Sequence, residues 1–423
     1  MTDPIGVLRG RGFIHGVTDE EGLRDLFAHG RVTFYVGFDP TAASLHIGHL
    51  MGMMAMAWLQ RAGHRPLAIA GGGTGRIGDP SFRDEERELL DEDRLHRNLE
   101  GIRGQLSRVL DLRDGLLLDN YDWLGRFGFI EFLRDVGKHF SVNAMIARES
   151  VRRRLEEREH GISFTEFAYQ LLQAYDFAHL YAAYGCRLQA GGSDQWGNIT
   201  AGIDLTRRLH GAQVYGLVWP LVERSDGTKF SKSTGEAVWL DAELTSPYAF
   251  YQWFFNVPDA DAARFLRIFT FLPLDQIAAL DEEQQRNPAA RPAQRALAEE
   301  VTRIVHGDEG VQAALRATRL LFGDEPLAGL DDRTLADAFE SAPSVELPRA
   351  RLETGLDLAD LMVAVGAARS RGEARRLIEQ GGVSLNNRRA ADAFARLGPG
   401  DLAGTSTVVL RVGKKRYFLA RFR

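Results

Sequence analysis

Between residues 31 and 80 the chain changes its hydrophobic period twice. "RVTFYVGF" is β-branched and aromatic and is bounded by Gly37 and Pro40, the pattern of a strand. "SLHIGHLMGMMAMAWLQRAG" has helical length and ends at Gly63, and "RPLAIAGGGTGRIGDP" is a second apolar strand running into a glycine-rich turn. Strand, helix, strand is the beginning of a parallel α/β sheet with a right-handed crossover. Sheets of this kind bind ligands beyond the carboxyl ends of their strands, so chemistry is expected where each strand stops.

The rest of the chain continues that pattern and then leaves it. Upstream, "TDEEGLRDLFAH" has the signature of a capped helix, with Thr18 at the cap and Glu21 at the capping-box position. Downstream, "SFTEFAYQLLQAYDFAHLYAAYG" is a long helix and "CRLQAGGSDQWGNI" a strand entering a glycine turn. "VWPLVERSDGTKFSKSTGEAVWL" is a strand, an exposed loop and a return. Beyond Ser246 the pattern is helical to about Ser341. "SAPSVELPRARLETG", with two prolines and little periodicity, has the character of a linker. Two short helices and β-like "STVVLRVGKKRYFLARF" close the chain. At 423 residues it is too long for one ordinary core. The expected domains are a parallel-sheet domain over 1–222, the loop and its connection over 223–245, a helical domain over 246–341, a linker over 342–355 and a small α+β domain over 356–423.

Charge separates these parts. The net charge is −6, yet from Arg351 onward fourteen Lys and Arg face seven Asp and Glu. A basic module on an acidic body suggests a polyanion partner. Lysine occurs only at Lys138, Lys229, Lys232, Lys414 and Lys415. Two of these fall within "TKFSKS", where a compact, mobile point charge would serve better than a planar guanidinium. The single cysteine, Cys186, excludes an internal disulfide framework and a Cys-rich zinc site. No apolar run approaches bilayer length, and "MTDPIGVLRGRGF" lacks the order of a signal peptide, so a cytoplasmic protein without a membrane partner is expected.

Four constellations carry chemistry. His46 and His49 in "LHIGHL" share a helix face, which suits a metal pair, space-filling beside Gly48, or donors to phosphate at a helix N-terminus; the motif alone does not choose. "GGGTGRIGDP" contains G-x-G-x-x-G at Gly73, Gly75 and Gly78, but no second strand ends in a ribose-binding acid, and a turn bringing Asp79 to a small ligand explains it equally. Lys229 and Lys232 either sit on a mobile loop that neutralises charge on a departing pyrophosphate or mark a solvated hairpin tip, and the stretch alone does not choose. Tyr169, Gln173 and Asp176 fall at i, i+4 and i+7, one helix face that reads as a polar pocket wall or a surface stripe, the apolar Phe167, Leu171, Leu172 and Ala174 beside it favouring the pocket. Arg148 and Arg152 to Arg154 form a basic patch interleaved with glutamates, either an RNA contact or a salt-bridged surface.

Taken in order, "YVGFDPTAASLHIGHL", "QAYDF", "GGSDQWGNITAG" and "KFSKS" resemble the bacterial tyrosyl-tRNA synthetases, a family of class I aminoacyl-tRNA synthetases, over essentially the whole chain. The resemblance implies a Rossmann-like catalytic domain, a helical anticodon-side domain and a C-terminal RNA-binding domain of the ribosomal-protein-S-four type. It implies ATP with Mg2+ as substrate, no protein-held metal, tyrosine and its tRNA as partners, and a homodimer. His46, His49, Lys229 and Lys232 match the catalytic signatures, with Phe230 in place of methionine. Tyr35, Asp79, Tyr169, Gln173, Asp176 and Gln195 match the tyrosine site. Gly37, Asp39, Thr41, Gly48, Gly192, Asp194, Ser231 and Ser233, with the signature residues and Phe230, match the ATP site. The alternative is another adenylyltransferase built on His-x-Gly-His.

Overall fold

A computed structural model describes residues 3–80, 92–113, 116–148, 151–152, 155, 162–223, 225, 235, 237–322, 325–413 and 416–423. Lys229, Phe230, Ser231, Lys232 and Ser233 lie outside the described residues. The chain divides into two compact units, Met1–Leu240 with Val257–Leu297, and Asp241–Asn256 with Ala298–Arg423.

The first unit is built on a six-stranded sheet. Its strands are β1 (Gly16–Val17), β2 (Thr33–Phe38), β3 (Arg65–Ala70), β4 (Leu116–Asp119), β5 (Cys186–Gly192) and β6 (Tyr215–Trp219), in the spatial order β1-β6-β5-β2-β3-β4. All neighbours are parallel except β1, which runs antiparallel to β6 at the edge. The chain winds outward from β2 through β3 to β4 and then returns to β5 on the other side. The order therefore reverses between β2 and β5, where Tyr35 lies opposite Gln189. That switch point is where a doubly wound sheet opens a crevice.

The crossover from β2 to β3 is the helix Ile47–Arg61, with Leu50, Met51, Met53, Met54 and Met56 all buried. It packs against the helices Pro4–Arg11, Glu92–Val109 and Asp259–Phe269, so its middle, residues 50–57, is buried all round. Unbranched methionine fills such an irregular space without a fixed shape. The helix Phe164–Tyr184 opens on a capping box, Ser163 with Glu166, and ends at Gly185, whose φ of 65° reverses the chain. It lies along the helix Trp196–His210.

The capping assignment at Thr18 is corrected by the structure. Asp19 caps the helix Glu20–Ala28, its carboxylate accepting from the Gly22 N–H at 2.9 Å. The Thr18 hydroxyl instead accepts the Gly216 N–H of β6 at 2.9 Å, because edge strand β1 ends just before it.

In the second unit Tyr248, Leu320, Leu327, Leu330 and Leu335 form a core with Ala403 and Val409. A five-stranded sheet follows the order Arg388–Arg389, Val383–Leu385, Thr407–Val412, Arg416–Phe422, Ser344–Leu347. Asn386 and Asn387, at φ 47° and 63°, make the tight turn of its first hairpin. The stretch 342–355, expected as a linker, carries regular structure. Ser344–Leu347 is an edge strand parallel to Arg416–Phe422, and Leu352 is buried in the core beneath the sheet. Pro343 and Pro348 flank this strand, positions proline takes at the ends of edge strands as readily as in linkers.

Candidate active site

At the switch point a cavity of about 390 Å³ opens between β2, β3, β5 and the N-terminus of the helix Ile47–Arg61. Tyr35, Gly37, Asp39, His46, Gly48, His49, Asp79, Tyr169, Gln173, Asp176, Gly192, Asp194 and Gln195 all line it. Thr41 is exposed and outside this wall.

The innermost end is buried and polar. Tyr35 on β2 is 2% exposed, its ring edge-on to Phe177 at 5.4 Å, and its hydroxyl has no hydrogen-bond partner among the described residues. Burial, then the charge of Asp176, pushes its pKa well above the usual value, so it stays a donor. The Asp176 carboxylate is 3% exposed and is held on both oxygens, Oδ1 accepting from Trp123 Nε1 at 2.7 Å and Oδ2 from Asn120 Nδ2 at 3.0 Å. Burial raises its pKa to about 7; the two donors lower it, and Asp39 and Asp119 add to the rise. A buried hydroxyl lacking a partner beside a carboxylate with lone pairs to spare is a receptor for a group that both accepts and donates, such as a phenol.

Nearer the mouth, Gln195 is the hub. Its Nε2 donates to Asp79 Oδ2 at 2.6 Å and Asp194 Oδ2 at 3.1 Å, and its Oε1 accepts from Gln173 and Asn198, each at 3.2 Å. Tyr169 donates to Asp39 at 3.5 Å. Burial, with the Asp79 charge as a lesser cause, raises the Asp194 pKa. Four carboxylates thus face one cavity, which suits an ammonium group, and no Lys or Arg among the described residues lines it.

The paired histidines have a role that spacing did not reveal. His46 is the N-cap: its Nδ1 accepts the Gly48 N–H at 3.0 Å, while His49 Nδ1 accepts the His46 N–H at 3.2 Å, a reciprocal capping box made of imidazoles. An Nδ1 that accepts a backbone N–H carries no proton, so each neutral ring holds its proton on Nε2. The donor that each ring presents is therefore Nε2–H, at a helix N-terminus that already favours anions. A Cβ at Gly48 would meet His46 Cε1 at 2.8 Å, so the cap requires glycine there. No group of three or more His, Cys, Asp or Glu among the described residues is placed to hold a metal ion.

The glycine turn after β3 is an anchor. Asn120 Oδ1 accepts the Gly73 N–H at 2.7 Å, and a Cβ at Gly72 would sit 2.1 Å from Asp119 Oδ1. The turn is glycine-rich because the end of β4 presses into it. Arg148, read from the sequence as part of a basic patch, donates to the Gly197 carbonyl; Arg153 and Arg154 lie outside the described residues.

Residues 28–323 match the family described as tRNA synthetases class I (W and Y), and residues 334–420 match the tyrosine–tRNA ligase SYY-like C-terminal domain. The tyrosine–tRNA ligase of Roseiflexus castenholzii is 51% identical over the full length of both chains. The chain belongs to the tyrosyl-tRNA synthetase family. That of Rhodopirellula baltica is 48% identical over 98% of this chain and 95% of its own. Among solved structures of the family, a C-terminally truncated mitochondrial tyrosyl-tRNA synthetase from Aspergillus nidulans superposes with a TM-score of 0.69 at 32% identity, covering 76% of this chain and 95% of that one.

Sequence reasoning within the family's motifs missed Asn120, Trp123 and Trp219. Asn120 and Trp123 stand directly after β4, and the polar run "DNYDW" at a strand's carboxyl end was the available signal. Trp219 closes β6 and lines the cavity, its Cζ2 3.0 Å from where a Cβ at Gly52 would stand.

Proposed function

We propose that this chain is a tyrosine–tRNA ligase that activates tyrosine with ATP and transfers it to the 3′-terminal adenosine of its tRNA. The observation that carries the tyrosine assignment is the unpartnered Tyr35 hydroxyl beside the doubly held Asp176 carboxylate. The substrate phenol donates to Asp176 and accepts from Tyr35. Its ammonium group meets Asp79, Tyr169 and Gln173, and Gln195 orients the carboxylate.

That carboxylate attacks the α-phosphorus of ATP in line; a carboxylate O–P bond forms as the bond from the α-phosphorus to the bridging oxygen breaks, and that oxygen leaves with pyrophosphate. No side chain is consumed, so rate comes from positioning and charge stabilisation. The adenosine lies against Gly37, Asp39, Gly48, Gly192 and Asp194 of the cavity wall, with the exposed Thr41 outside that wall left to meet it from solvent, and His46 and His49 donate Nε2–H to the phosphates. A cavity with four carboxylates and no cation among the described residues needs positive charge from elsewhere to take a triphosphate. Lys229 and Lys232 bring it, with Phe230, Ser231 and Ser233 completing the loop, and Mg2+ arrives as part of the nucleotide substrate.

The catalytic domain over 1–222 and the helical domain over 246–341 present the tRNA with the basic module at the C-terminus. Large apolar side chains at the surface, Phe129, Ile130, Val142 and Phe164, between 57% and 69% exposed, support a homodimer. No described helix is long and apolar enough to cross a membrane, and a cytoplasmic location is in keeping with the substrate. Charging of tyrosine tRNA with labelled tyrosine tests the whole reaction; a chain that forms adenylate but never esterifies that tRNA would contradict the second half.

A further inference from the structure

Trp123 is held at two points by one face of one helix. Its indole N–H donates to Asp176 at 2.7 Å, and its ring stacks on His179 with centroids 4.5 Å apart and planes within 17°. Asp176 and His179 are three residues apart on the helix Phe164–Tyr184, so they share that face. Trp123 is 7% exposed, whereas His179 is half-buried and also approaches Tyr175 at 6.2 Å. Burial and the neighbouring Arg126 hold the imidazole pKa below its usual value, so a neutral aromatic ring makes the stack.

We propose that His179 is a positioning residue for tyrosine selection, acting through the Trp123 indole on the Asp176 carboxylate. The apolar cluster of Leu67, Ile69, Phe177 and Leu180 fixes where the indole sits; the one N–H bond does not by itself fix its tilt, and tilt moves the carboxylate oxygen that must meet the phenol. The stack removes that freedom. His179 touches no substrate and takes no proton in the reaction; its effect falls on amino-acid recognition and not on phosphate chemistry. This inference rests on the tyrosine reading above.

The test uses the full-length chain in amino-acid-dependent ATP–pyrophosphate exchange. His179→Ala is expected to raise KM for tyrosine about two- to tenfold, as loss of an aromatic pair implies. It leaves kcat and the KM for ATP near wild type and narrows the preference for tyrosine over phenylalanine. His179→Phe, which keeps a planar ring, restores tyrosine KM and selectivity. If the alanine variant does not fold, His179→Gln removes the aromatic face at similar volume and takes its place. An unchanged tyrosine KM in His179→Ala, an equal rise in the KM for ATP, or a phenylalanine variant no better than alanine would each overturn the proposal. Absence of tyrosine-dependent exchange by the wild-type chain would overturn the functional reading instead.

Discussion

Asn120 donates to Asp176, Nδ2 to Oδ2, at 3.0 Å, while its own Oδ1 accepts the Gly73 N–H at 2.7 Å. One amide thus ties the selecting carboxylate to the glycine turn that carries Asp79 into the cavity. Asn120→Ala takes a donor from a buried carboxylate and orphans a backbone N–H, a loss of about 1–3 kcal/mol. The expected outcome is a roughly tenfold or greater rise in tyrosine KM together with a lower denaturation midpoint, read from exchange kinetics and urea unfolding.

Asp176, with its pKa pushed up to about 7, titrates in the working range. The acid is protonated below that pH and ionised above it, and only the ionised form can accept from Trp123 and Asn120 on both oxygens and still take the phenol's O–H on a remaining lone pair. Tyrosine kcat/KM in the free enzyme should therefore fall as pH drops through about 7 and level off above it. A flat profile between pH 6 and 8, with ATP saturating, would show that this carboxylate is ionised throughout.

Gly52 leaves room for Trp219, whose Cζ2 would stand 3.0 Å from a Cβ at that position. Gly52→Val forces the indole, which lines the cavity, to shift at a cost of about 1–3 kcal/mol. Gly52 stands three residues after His49 on the same helix, and both it and Trp219 line the cavity, so the KM for ATP should rise severalfold with tyrosine KM little changed. Equal effects on both would mean that the substitution distorts the whole pocket.

Ending the chain after Ala338 removes the basic module complete with its edge strand Ser344–Leu347. Adenylate formation should survive, while tRNA charging drops by an order of magnitude or more. The truncated chain should also unfold earlier, because Ala403 and Val409 no longer cover Tyr248, Leu327 and Leu335. Undiminished charging would remove the module from tRNA binding.

Much of the catalytic fold is legible because β-strand and helix periods are local, and the motif residues sit where a parallel sheet must place them. Tyr35, Asp79, Asp176 and Gln195, matched to the family's tyrosine site by resemblance, all line one cavity. What stays hidden depends on long-range pairing. Asn120 and Trp123 reach Asp176 across 56 and 53 residues, and no local pattern encodes which polar group at the end of β4 turns inward. Thr18 and Asp19 are both good caps side by side, and the choice between them falls to an edge strand that consumes the threonine hydroxyl. Prolines at 343 and 348 look the same around a strand as in a linker. The histidines hid their capping role because imidazole seldom stands at an N-cap, where Ser, Thr, Asp and Asn are preferred.

The pairing of the Tyr35 hydroxyl and the Asp176 carboxylate against a phenol is tested most directly by ATP–pyrophosphate exchange with tyrosine and phenylalanine compared on the wild-type chain. A site built to bond a hydroxyl leaves its own groups unpaired when that hydroxyl is missing, which tyrosyl-tRNA synthetases among other such sites set at about 10⁴–10⁵ in kcat/KM. Robust exchange with tyrosine and a rate with phenylalanine lower by several orders of magnitude is the expected result. Comparable exchange with the two amino acids, or none with tyrosine, would contradict it.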